Sequence, residues 1–275
     1  MDGTANFAYH GGMIGFLLKK TFYDLWDNLL RIVLVNLGFL VSLAIPWALP
    51  GLLLRVAPVP VAVLVGAAGV VWCFVYLAAA ALSVKALSDY GSFGFADFWA
   101  NLKAGRKAGV AMGIVAFMLL LMLWQIIPFY LAMESLLGFL LAAIIFWTFL
   151  LALVSFQFFY AVRARLDANL KKVFKKCFII FFDNPAFAVF CLLHTVVTLV
   201  LSALLALLLP GPAGALLFLD EALRLRLLKY DWLEANPPAE PGIRRRHVPW
   251  DAILIEEREK TGSRTVKSFI FPWKD

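Results

Sequence analysis

Long stretches without a charged residue most strongly constrain what this sequence can fold into. They recur along the chain, and most hold about 20 residues, enough for a helix to cross the hydrocarbon core of a bilayer. Hydrophobic residues make up 63% of the chain and charged residues only 16%, with a mean hydropathy of +0.86. A soluble chain of this size could not hide so much apolar surface. The sequence therefore predicts an all-α polytopic membrane protein.

The predicted transmembrane domain covers residues 1–232, and residues 233–275 form a predicted cytoplasmic tail. We place six membrane-spanning helices at 32–54, 61–84, 108–127, 136–161, 186–209 and 213–232. The sixth fits a membrane span least well by its sequence pattern, since its uninterrupted apolar part, 213–219, is too short to cross a bilayer alone. It is included because the distribution of basic residues requires an even number of crossings.

Basic residues fall almost entirely on one side of this predicted arrangement. Of the 25 Lys and Arg residues, only Arg55 lies in a turn on the opposite side. The densest stretch, 162–176, holds one acid and six basic residues that we assign to anionic lipid headgroups: Arg163, Arg165, Lys171, Lys172, Lys175 and Lys176. Short basic loops stay in the cytoplasm during insertion. The sequence thus predicts a multi-pass protein of the bacterial inner (plasma) membrane with both termini in the cytoplasm.

Amphipathic segments precede the predicted spans at 21–31, 95–107 and 168–184. Their apolar residues recur at spacings of three and four, a pattern typical of helices that lie on the membrane surface. Pro46, Pro128 and Pro210 are evenly spaced and mark the turns between paired spans. The pattern predicts three helical hairpins, each preceded by an amphipathic interfacial elbow helix. It fits either an internal repeat or any hydrophobic chain built of hairpins.

The segment FADFWANLKAGRK at 95–107 follows an N-terminal aromatic helix and the stretch LVNLGFLVSLAIP at 34–46. These features resemble the YesL-like family of bacterial integral membrane proteins over roughly residues 14–210. The family has no known function, and its members are often linked with carbohydrate-uptake gene clusters. The resemblance implies a transport accessory role and supplies no catalytic or ligand residue. This chain departs from the family in its long, charged C-terminal tail.

Motifs of soluble catalysis do not occur: there is no GxSxG, HExxH or Walker A sequence, and no GxGxxG in a strand–turn–helix context. The cysteines Cys73, Cys177 and Cys191 lie in or beside apolar stretches without metal-site spacing, so we expect small buried hydrophobes. We therefore predict that the protein is not an enzyme and holds no cofactor or metal. Its net charge of +7 flanks the spans and fits anionic lipid headgroups better than nucleic acid.

Charged residues inside the sixth predicted span form the candidate binding site. Asp220 and Glu221 lie about eight residues into it, where charges are costly and suggest function. Arg224 follows one turn later, and His194 is the titratable residue of the fifth span. One interpretation is an ion- or proton-linked site. The other is a tilted, partly interfacial helix in which Asp220 pairs with Arg224 and the following basic side chains reach the headgroups.

Two classes of function fit these features best. The first is a non-enzymatic integral membrane protein that acts as accessory or scaffold for a membrane partner, such as a carbohydrate importer. The second is a small-solute or ion transporter or channel with a polar site at Asp220, Glu221 and Arg224. A third, weaker hypothesis is a lipid-handling protein that uses the basic elbows. The first two are distinguished by whether the three charged residues face a hydrated cavity or a packed, paired interior.

Overall fold

The computed structural model describes residues 3–236 and 248–262, with side chains from Gly12 onward. All regular secondary structure in these residues is helical, which confirms the all-α class. The helices are α1 Gly3–Asp27, α2 Leu29–Leu53, α3 Val59–Ser88, α4 Phe95–Leu121, α5 Ile127–Leu131, α6 Leu136–Phe156, α7 Phe159–Arg165, α8 Leu170–Asp183, α9 Pro185–Ala203, α10 Gly211–Ala235, α11 Trp250–Ile253 and α12 Ile255–Thr261. A π-helical segment, Met122–Ile126, joins α4 to α5. Much of the predicted tail, 237–247 and 263–275, lies outside the described residues.

Five helical stretches are long and apolar enough to cross a membrane: Leu29–Leu53, Val59–Ser88, Phe95–Leu131, Leu136–Arg165 and Pro185–Ala203. They correspond to the first five predicted spans and fit a membrane-embedded protein. Helix α10, which contains the predicted sixth span at 213–232, does not qualify. Its acids and bases interrupt the apolar sequence after Leu219, so a sixth crossing is not confirmed.

The three predicted elbows differ from one another in the structure. The segment at 95–107 is not a separate helix, because α4 runs through it without a break. The segment at 21–31 is divided at Asn28, where α1 ends and α2 begins. The segment at 168–184 does form a helix of its own, α8, with Val173 and Cys177 buried and Lys175 exposed. A common elbow preceding each hairpin is therefore not observed.

Helices α3 and α4 pack closely because α4 presents glycines at every fourth position. Gly105, Gly109 and Gly113 lie against Ala78, Val75 and Val71 of α3. A Cβ atom at Gly109 would come within 2.3 Å of the Val75 Cα atom, so the backbones could not approach this closely with a larger residue. Small residues at this spacing are a common device for packing helices in membranes. The contact begins at Gly105, inside the predicted elbow, so that segment packs against α3 as part of α4.

The evenly spaced prolines do not mark equivalent turns. Pro46 lies inside α2, which continues through Pro50 to Leu53. Glycines of α3 leave room for both rings, since Gly69 faces Pro46 and Gly66 faces Pro50. Pro128 lies within α5, whereas Pro210 directly precedes α10. The three-hairpin repeat is therefore not supported by the positions of these prolines.

The turn between α9 and α10 is held against α2 by the buried side chain of Asn36. Its Nδ2 atom donates to the carbonyl oxygens of Leu208 (3.0 Å) and Pro210 (2.9 Å), and its Oδ1 atom accepts from the amide of Ala213 (2.8 Å). Gly211 has a φ of +63°, and a Cβ atom there would collide with the Asn36 amide. Beyond Asn36, α2 continues for roughly 25 Å at 1.5 Å per residue. The turn thus lies beside the first third of α2.

The C-terminal helices α11 and α12 dock onto one end of the bundle. Trp250 and Leu254 are buried in the same apolar cluster as Met13 and Leu17 of α1. Lys19 of α1 also donates to the carbonyl oxygen of Gly262 (3.2 Å). Residues 248–262 therefore complete the core beneath α1 rather than extending away from it.

Candidate functional site

Charged side chains from five helices meet at the end of the bundle where α11 and α12 dock. We call this group the charged cluster. It comprises Lys20 and Asp24 of α1, Asp89 at the end of α3, Arg165 of α7, Asp220, Glu221 and Arg224 of α10, and Glu257 of α12. Helical geometry puts Asp220 and Arg224 on one side of α10 and turns Glu221 by about 100° toward α1. The cluster thus has two halves that meet at α10.

The first half is an ion pair between Lys20 and Glu221, whose side chains are both 0% exposed. The Lys20 Nζ atom donates to Asp24 (2.5 Å), to the carbonyl oxygen of Ser88 (3.0 Å) and to Glu221 (3.4 Å). Three acceptors match its three N–H donors. The second Glu221 oxygen accepts from the hydroxyl of Thr21. A charge this deeply buried needs such complete pairing, because its desolvation costs several kcal/mol.

The second half centres on a two-pronged pair between Arg165 and Asp220. The Arg165 Nε atom donates to one Asp220 oxygen (2.9 Å) and Nη2 to the other (2.5 Å). Arg165 also donates to Asp89 (3.0 Å) and to the hydroxyl of Ser88 (2.8 Å). The planar guanidinium matches both carboxylate oxygens at once, which makes this a strong type of pair. Arg165 is thus held by acids within the protein, and its assignment to lipid headgroups stays a prediction.

The predicted pairing of Asp220 with Arg224 is wrong. Arg224 instead donates to Asp89, to the carbonyl oxygen of Ser88 (2.9 Å) and to Glu257 (2.6 Å). Glu257 further accepts from the hydroxyl of Tyr90 (2.8 Å). The i,i+4 spacing puts the two α10 residues on one side of the helix, but each forms its ion pairs with residues of other helices. Arg224 thereby fastens α12 to the bundle.

His194 lies apart from the charged cluster. Its ring stacks on Phe218, with 3.7 Å between the ring centroids, and its Nδ1 atom lies 3.5 Å from the hydroxyl of Thr198. It packs in the interface between α9 and α10 and has no contact with Asp220, Glu221 or Arg224 among those of the described residues, although all four were predicted to form one site. Its surroundings are those of a packed aromatic ring.

The remaining predicted headgroup residues lie on and beside α8. Lys171, Lys172 and Lys175 are exposed, while Arg163 and Lys176 are half-buried. Lys176 lies 3.4 Å from Asp167. The backbone amide of Asn169 donates to Asp167 (2.9 Å) and, with Lys176 and Lys172, lowers the pKa of that carboxyl. Three exposed lysines therefore stay available for lipid headgroups.

A smaller ionic group joins the end of α8 to α10. Arg226 is buried and pairs with Asp183, which also accepts from the hydroxyl of Tyr230 (2.8 Å) and lies 3.6 Å from Lys229. Burial alone would raise the pKa of the Asp183 carboxyl, but these three partners outweigh it and lower the pKa. One of the two interpretations of the sixth predicted span placed Arg226 at the headgroups, whereas it is paired inside the protein.

The charged cluster is a closed network of ion pairs. Each of its charged members has an oppositely charged partner within it. In the described part of the chain, no group of His, Cys, Asp and Glu is arranged to hold a metal ion. The three cysteines are free and buried, as expected for small hydrophobes.

The sequence matches no family model, no curated protein and no solved structure.

Proposed function

We propose that this protein is a non-catalytic integral membrane protein that acts as accessory or scaffold for a membrane partner of the solute-importer class. The observation that carries this proposal is the closed charged cluster, whose charges join α1, α3, α7, α10 and α12. Such a network fixes the N-terminal helix and the C-terminal helices on one end of the bundle. The exposed lysines of α8 lie outside this network and offer a basic surface at which a partner can dock. The importer class follows from the YesL-like resemblance.

The transporter alternative requires charged groups that are open to a solute or ion. Lys20 and Glu221 are fully buried, and Asp220 is 2% exposed. Two cavities on the described residues are lined by other residues, and neither includes Asp220, Glu221 or Arg224. A packed, paired interior supports the scaffold hypothesis over a transport path at this position.

We also propose a specific topology, with four full crossings by α2, α3, α4–α5 and α6–α7 and a hairpin of α9 and α10 that enters and leaves on one side. Helix α9 is long enough to cross, but its end is tied to Asn36 through the following turn. Non-helical backbone at membrane depth is tolerated only where the protein satisfies its polar groups, and Asn36 supplies those hydrogen bonds. The even crossing number keeps both termini on the basic side, which we assign to the cytoplasm of the inner membrane.

Cysteine accessibility distinguishes this topology from six crossings. In a background without the three native cysteines, Glu134→Cys should react with a membrane-impermeant maleimide from outside the cell, and Lys172→Cys only after the cytoplasmic side is opened. Leu205→Cys, in the α9–α10 turn, should react from neither side because the turn is within the bilayer. Labelling of Leu205→Cys from outside at the rate of Glu134→Cys would establish a sixth crossing instead.

The scaffold proposal is tested by affinity isolation of the full chain, expressed at native level, in mild detergent. We expect an integral membrane protein in fixed ratio to the chain, and reconstituted chain alone should carry no ion or sugar flux. Recovery of a lone monomer counts against a scaffold. Flux by the chain alone that disappears in Asp220→Asn would instead support the transporter alternative.

A further inference from the structure

A second site candidate lies away from the charged cluster, in a groove of about 580 Å³ between α2, α3 and α4. Its volume falls within the range of small-molecule sites, roughly 300–1,000 Å³. The walls are mainly apolar and aromatic and include Leu34, Trp72, Tyr76, Phe95, Phe98 and Trp99. Arg31 lines the end where α4 begins, and Ser42 lies at the far end. These two residues are about 16 Å apart along α2 at 1.5 Å per residue.

Two polar side chains of the walls, Tyr76 and Trp72, are already hydrogen-bonded within the protein. The Tyr76 hydroxyl donates to the carbonyl oxygen of Val35 (2.8 Å), and the Trp72 Nε1 atom donates to the Ser42 hydroxyl (3.3 Å). Gly38 makes room for this arrangement, since a Cβ atom there would come within 2.2 Å of the Tyr76 hydroxyl oxygen. The groove thus presents ring faces and hydrocarbon, which suit an apolar chain.

Arg31 gives the groove a positive charge at one end. Its Nε atom donates to the carbonyl oxygen of Phe93 (3.1 Å) and its Nη1 atom to the side chain of Asn28 (2.8 Å). These two bonds fix the direction of the guanidinium while the side chain stays exposed. Among the hydrogen bonds of the described residues, none uses the Nη2 atom. The nearby carboxylate of Asp97 accepts from the amide of Gly94 (2.8 Å).

We propose that this groove binds one anionic phospholipid from the surrounding bilayer, with its phosphate on Arg31 and one acyl chain along the aromatic wall. The length of the groove is close to one leaflet, since the whole hydrocarbon core is about 30 Å thick. Charged hydrogen bonds from a guanidinium to phosphate are strong and favour anionic lipid. The exposed rings of Phe95 and Trp99 lie at the Arg31 end, where aromatic side chains favour the headgroup level. The site does not rest on the scaffold proposal.

Native mass spectrometry of the full chain tests this site, with phosphatidylglycerol and phosphatidylcholine of identical acyl chains as probes. We expect one tightly held phosphatidylglycerol per chain, preferred over phosphatidylcholine. Arg31→Gln should weaken phosphatidylglycerol binding roughly tenfold, as expected for loss of a charged hydrogen bond, and weaken phosphatidylcholine less, because the choline cation of that lipid offsets its phosphate charge. Arg55→Gln, which removes an exposed charge in the turn between α2 and α3, should leave both affinities unchanged.

Two further arms test the groove itself. Leu34→Trp, a change at an exposed position, should fill the groove and abolish binding of both lipids without lowering the melting temperature. Phosphatidylglycerol with six-carbon acyl chains should bind at least about tenfold more weakly than the long-chain lipid, because each buried methylene adds roughly 0.8 kcal/mol. The proposal is overturned by equal losses in Arg31→Gln and Arg55→Gln, by unchanged lipid binding in Leu34→Trp, by equal affinity for short and long chains, or by a polypeptide occupying the groove.

Discussion

Arg165→Met should destabilise the protein in detergent by about 3–5 kcal/mol, the usual cost of removing one partner from a buried ion pair. The change leaves the carboxylate of Asp220, which is 2% exposed, without either of its guanidinium hydrogen bonds. It also removes the donors to Ser88 and Asp89. Thermal and denaturant unfolding of the purified chain in one detergent would measure the loss.

Double variants identify the partner of Asp220. Arg165→Met with Asp220→Asn should recover part of the lost stability, because no unpaired buried charge is left. Arg224→Met with Asp220→Asn should show little recovery, since those two side chains have different partners. Recovery in the Arg224 combination and none in the Arg165 combination would restore the pair expected from sequence spacing.

The same variants separate the scaffold and transporter hypotheses. If Asp220 holds a cation during transport, a bound ion should stabilise the parent protein in proportion to its concentration. The variant with both Arg165→Met and Asp220→Asn would then unfold normally yet lose that stabilisation. A network that only fastens helices together predicts no ion-dependent shift in either protein.

The membrane helices could be predicted because a single local property determines them. A chain that crosses lipid must satisfy its backbone hydrogen bonds within each helix, so length and hydropathy identify α2, α3 and α9 directly. The separate helix α8 could also be predicted, since its amphipathic pattern depends only on its own sequence. The close contact of α4 with α3 was missed, although Gly105, Gly109 and Gly113 gave a readable signal at every fourth position.

The partners within the charged cluster could not be predicted in the same way. Sequence periodicity reports neighbours within one helix, and so it paired Asp220 with Arg224. The observed partner, Arg165, is 55 residues away along the chain. Lys20 directly precedes the predicted amphipathic segment at 21–31. The polar side of such a helix has the same sequence pattern whether it faces water or buried acids. The partner of Lys20, Glu221, is 201 residues distant.

Asn36→Leu should lower the stability by about 3 kcal/mol, because it removes the hydrogen bonds of two carbonyl oxygens and one amide in the α9–α10 turn. Each buried polar group that loses its partner costs roughly 1–3 kcal/mol. Leucine has a similar size and lies well in a helix, so lost hydrogen bonding rather than misfit accounts for the effect. Ser42→Ala is the matched control: Ser42 is also buried on α2, but a Trp72 bond of 3.3 Å is its main polar contact with another side chain.

Unfolding in detergent and Leu205→Cys labelling together show whether Asn36 holds the α9–α10 turn within the bilayer. In the proposed topology, Asn36→Leu frees the turn, so Leu205→Cys should become reactive toward maleimide in the Asn36→Leu background and not in the Ser42→Ala background. An Asn36→Leu protein that unfolds like the parent would mean that water already satisfies the carbonyl groups of Leu208 and Pro210. The turn would then reach an aqueous surface, and α10 would be a true sixth crossing that starts on the far side of the membrane.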